Sequence, residues 1–88
     1  MDQRGMGAMI TVRSLAIIAP NVEYVSPCWD PYPELAAGRG WSGYLFAGDV
    51  VLVIAHRGRS GRFEDALLIV GPGMSVGWVR AGVLEHVA

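Results

Sequence analysis

The sequence has no lysine and only one cysteine. Cys28 has no second thiol to pair with, so no internal disulfide braces the fold, and stability must come from packing, as in a reducing compartment. A single thiol of this kind reads as a small buried hydrophobe before it reads as a nucleophile. All seven basic residues are arginine. With the abundant Gly, Ala and Val this points to GC-rich coding, as in a high-GC bacterium or its phage, and carries no chemistry. Charged residues make up 17% of the chain and the net charge is -1, so no long-range field gathers nucleic acid or an anionic membrane. Long apolar runs are also missing: none approaches the roughly 18 residues that cross a bilayer, and the N-terminus lacks the pattern of a signal peptide. The expected location is the cytoplasm or a virion, without secretion by a signal peptide and without a membrane partner.

Catalytic patterns are equally scarce. There is no HExxH, GxSxG or CxxC, and no glycine-rich phosphate loop between a strand and a helix. The histidines, His56 and His86, fall at a strand end and in an apolar terminal segment, and a metal site from Cys28, His56 and His86 would need three distant segments to converge. The expectation is a non-enzymatic protein with no cofactor, no metal and no catalytic residue.

What the chain does have is apolar residues, at 52% of its 88 positions. One domain of that size hides only about 60–65% of the surface its unfolded chain exposes, so some apolar surface is left over for a partner. Met1 to Ala8 carry no periodicity and read as a tail, leaving residues 9–88 as a single domain. Ile10 to Ala19 is rich in β-branched residues and ends at Pro20-Asn21, a strand running into a turn. Glu23 to Val25 is a short extended piece. Pro27, Pro31 and Pro33 then remove three backbone donors and impose a loop, in which Asp30 as a cap, Glu34 to Ala37 and Gly38 allow a helical turn. Gly40 to Phe46 returns to an extended pattern. Val50 to His56 is the strongest strand, Arg57 to Arg62 a polar hairpin loop, and Phe63 to Val70 the next strand. Gly71-Pro72-Gly73 turns the chain into Val76 to Arg80 and Val83 to Val87. The fold class is all-β, with five or six short strands.

In the C-terminal half, Gly48-Asp49-Val50-Val51, a following apolar strand, Gly77-Trp78-Val79, and finally Leu84 and Val87 resemble a bacterial SH3-like domain. The resemblance covers Gly48 to Val87. It implies a small SH3-like barrel in which Asn21 to Ala47 is an expanded first loop carrying the helical turn, the part of such a fold where function usually resides. Val51, Val53, Leu68, Val70, Trp78, Val79 and Leu84 are then the expected buried set, with the Trp78 ring filling one barrel end. The chain lacks the acidic, Tyr-rich loop of the eukaryotic peptide-binding version, which argues against proline-rich peptides as ligands.

Two constellations remain. Tyr24, Trp29, Tyr32, Trp41, Tyr44 and Phe46 place six of the eight aromatic residues within 23 positions, either as partner anchors or as a second small core. Trp29, Tyr32, Trp41 and Tyr44 are the expected partner-binding residues. Arg57, Arg59 and Arg62 on the hairpin could instead grip phosphates, although Glu64 and Asp65 follow at once. The reading is a protein-binding or assembly module, an accessory or structural subunit of a larger complex such as a phage virion, with protein as its partner, either itself or other subunits. The alternative is a nucleic-acid-binding or regulatory small barrel acting through the Arg57 to Arg62 hairpin.

Overall fold

The computed structural model describes residues 11–33 and 43–87. The expected tail, the helical turn at Glu34 to Ala37, and Trp41 lie outside the described residues. The strands are β1 (Leu15–Ile18), β2 (Tyr24–Val25), β3 (Leu45–Phe46), β4 (Val50–Arg57), β5 (Ala66–Val70), β6 (Val76–Arg80) and β7 (Leu84–His86), with single 3-10 turns at Pro72–Met74 and Ala81–Val83. All-β is therefore the fold class, as expected.

β6, β5, β4, β1 and β7 form one antiparallel sheet in that order, and β2 pairs with β3 in a second. This is not a closed barrel. After β2 the chain reaches the free edge of β6, where Cys28 and Trp78 exchange both backbone hydrogen bonds at 3.0 and 2.7 Å. The approach needs Gly77, because a Cβ there would stand 2.7 Å from Pro27 Cβ and 3.0 Å from the Cys28 nitrogen. β1 is shorter than the expected Ile10 to Ala19, because Ser14 N donates to Thr11 O at 3.1 Å and Arg13 takes a φ of 72°, which breaks the extended run. β5 starts three residues later than expected, after Ser60 and Phe63 have closed the hairpin loop on one another.

Strand parity decides the core. Ala16, Ile18, Leu45, Val51, Val53, Leu67, Ile69, Val79, Val83 and Leu84 are buried together, with Val22 and Val25 packed against them. Thus the small sheet, through Val25 and Leu45, covers the inner face of the large one. Four of the expected core residues, Val51, Val53, Val79 and Leu84, are in this cluster. Leu68, Val70 and Trp78 are not: Leu68 pairs with Trp78 and Val70 with Val76 on the opposite face, and all three are only half-buried. The Trp78 ring therefore does not fill a barrel end. Leu67 and Ile69, one step out of phase, take the inner positions.

Candidate partner-binding surface

The small sheet carries the most exposed ring cluster. The register sets Tyr24 opposite Phe46 and Val25 opposite Leu45. With Val25 and Leu45 turned to the core, alternation turns Tyr24 and Phe46 outward. The strand ends are fixed by one side-chain and two backbone hydrogen bonds. Asp49 Oδ2 accepts from Phe46 N at 2.8 Å, Asp49 N donates to Phe46 O at 2.9 Å, and Gly48 N donates to Ile18 O at 2.8 Å. Gly48 can turn here because its φ of 87° suits a residue without a Cβ. On the other side, Ser26 Oγ donates to Gly43 O at 3.1 Å, joining the two arms below Tyr44.

Tyr44 meets Tyr24 edge to face, with ring centroids 5.3 Å apart and planes at 88°. Tyr24, Tyr44 and Phe46 line a shallow open cleft of about 190 Å³. Each of these rings is between 54% and 61% exposed, so large apolar surfaces stand in water on a backbone that is already held. Among the described residues the cleft is lined by these three rings alone, which suits it to receive an apolar group.

The other expected anchors divide. Trp29, 62% exposed, stands just beyond the Cys28 to Trp78 pairing, on a turn in which Tyr32 N donates to Asp30 Oδ1 at 2.8 Å. Tyr32 is drawn inward. Its ring packs edge-on against Phe63 at 5.3 Å, and the Arg57 guanidinium lies over it at 4.3 Å. Arg57 Nε donates to Pro31 O at 2.6 Å, one terminal nitrogen donates to Glu64 O at 2.7 Å and the other to Gly58 O at 2.8 Å. Tyr32 and Arg57 thus clamp the 29–33 loop to the β4–β5 hairpin. Arg59 and Arg62 remain exposed, with Arg62 5.8 Å from the Phe63 ring centre. Tyr24 and Phe46 belong to the same aromatic stretch, and the signal that promotes them to the cleft is the Tyr24–Phe46 register, which composition does not reveal.

Cys28 is buried, with its thiol 3.4 Å from Asp30 O and 3.6 Å from Trp78 O. His56 Nε2 lies 3.4 Å from Asp65 Oδ2. Among the described residues no three metal-ligating side chains converge, and no helix is long and apolar enough to cross a membrane. No family model matches the chain, and neither a curated protein nor a solved structure matches it.

Proposed function

We propose that the chain is a non-enzymatic protein-binding domain of SH3-like type, acting as an accessory subunit of a larger assembly, with the Tyr24, Tyr44 and Phe46 cleft as its partner contact. One observation carries the reading: three half-exposed rings meet around one cleft, two of them set opposite each other by the Tyr24–Phe46 pairing. A tyrosine has only two side-chain torsions to fix, so rings presented this way lose little freedom on binding while removing much apolar surface from water. The Arg57 to Arg62 hairpin supports the nucleic-acid alternative less, since Arg57 already gives its donors to three carbonyls.

A photo-crosslinking residue placed at Tyr44 in cells of the source, with one at Arg59 as control, identifies the partner protein. The purified partner is then titrated with the Tyr24→Ala/Tyr44→Ala double variant. Binding is expected to weaken by at least about 2 kcal/mol, roughly thirty-fold, as for hot-spot residues. Crosslinks confined to Arg59, or an unchanged affinity, would contradict the proposal.

A further inference from the structure

We infer that the group received by the Tyr24, Tyr44 and Phe46 cleft is a quaternary ammonium, the trimethylated side chain of a lysine on the partner protein. The inference rests on the cleft being a protein-binding surface and adds the chemistry of what enters it. The planes of Tyr24 and Tyr44 stand at 88° with their centroids 5.3 Å apart. A group seated in the corner of such a pair meets ring surface on two sides, with both centroids inside the roughly 6 Å over which an aromatic face holds a cation. Phe46 supplies a third wall, and the volume of about 190 Å³ lies below the roughly 300 Å³ at which sites for larger ligands begin, so one compact head group fills it.

Charge and hydrogen bonding select the head group. The molecule already holds one cation on a ring, the Arg57 guanidinium 4.3 Å from the Tyr32 centroid, but there three carbonyls accept its N–H groups. The wall of the cleft is ring surface, so a primary ammonium would enter it with N–H donors left unmatched. A trimethylammonium has no N–H and spreads its charge over a shell of methyl groups. An uncharged alkyl group would gain from burial alone, whereas the cation is also drawn to the negative faces of the rings. The two segments that carry the rings, residues 21–26 and 43–49, hold the carboxylates of Glu23 and Asp49 and no basic residue. Glu23 is exposed next to Tyr24, and Asp49 Oδ2 accepts from Phe46 N at 2.8 Å, so the nearby charges favour a cation. The chain has no lysine of its own, so the side chain comes from a different protein and not from a second copy.

The test titrates the full chain with four probes and follows the ring-proton NMR signals of Tyr24, Tyr44 and Phe46. The probes are the N-acetyl amide of trimethyllysine, the same compound with unmodified lysine, its neutral isostere with a tert-butyl group in place of trimethylammonium, and choline. Trimethyllysine is expected to shift all three rings with a millimolar Kd, and lysine and the tert-butyl isostere to bind at least about five-fold more weakly. Tyr24→Leu keeps apolar bulk but removes a ring face, and it should shrink the preference for trimethyllysine over the isostere. Should that variant fail to fold, the four probes on the natural chain decide the matter alone. Equal binding of the isostere or of lysine overturns the inference and leaves an apolar protein-binding cleft standing. Choline bound more tightly than trimethyllysine overturns the assignment to a lysine side chain. The absence of any shift at tens of millimolar trimethyllysine overturns the inference as well, while the crosslinks from Tyr44 decide separately whether the cleft meets a protein.

Discussion

Gly77 shows how one missing atom joins the two parts of the molecule. Its inward position is where the chain at Pro27 crosses to pair with β6, and a methyl group there meets backbone that has nowhere to retreat. Gly77→Ala should cost about 1–3 kcal/mol, the range for overpacking. Gly58 is the matched control, since a Cβ there finds open space. Gly58→Ala should stay within about 0.5 kcal/mol of the parent. Urea unfolding of both variants checks the pair, and equal midpoints would show that the Cys28 to Trp78 seam is loose.

At the scale of elements, the β4–β5 hairpin and the 29–33 loop are held together by Arg57 lying on Tyr32. Arg57→Ala removes the donors that serve the Pro31 and Glu64 carbonyls and should destabilise by about 1–3 kcal/mol. Lysine, a point charge without the planar fork, should recover little of that. Faster amide exchange in residues 29–33 than in β4 is the expected signature, measured by hydrogen exchange. The same elements mark how far the sequence could be read. Val50 to His56 and the turn at Gly71-Pro72-Gly73 were legible because an uninterrupted apolar run and adjacent Gly and Pro are local signals. The face of β5 was not. Leu67, Leu68, Ile69 and Val70 are apolar at both parities, so Leu68 and Val70 look as buried as Leu67 and Ile69 until the pairing with β4 and β6 selects one set. Tyr32 illustrates the same limit at the site: its partner Arg57 is 25 positions away, and only tertiary packing distinguishes it from Trp29 and Tyr44, which stayed exposed.

At the scale of the molecule, one apolar surplus is distributed over three places. A core lies between the sheets, an aromatic cleft sits on the small sheet, and Leu15, Val50, Leu52 and Ile54 stand exposed on the large one. A partner-binding cleft has to be separable from the core: Val25 and Leu45 hold the small sheet in place, while Tyr24 and Tyr44 only stand on it. The most direct test needs no partner. In urea unfolding, Tyr24→Ala/Tyr44→Ala should lose no more than about 1 kcal/mol, which leaves room for one edge-to-face ring contact, and should keep the β-type circular dichroism of the parent. A loss above about 3 kcal/mol, the scale of removing a buried ring, would mean that these tyrosines belong to the core and that the partner surface lies elsewhere.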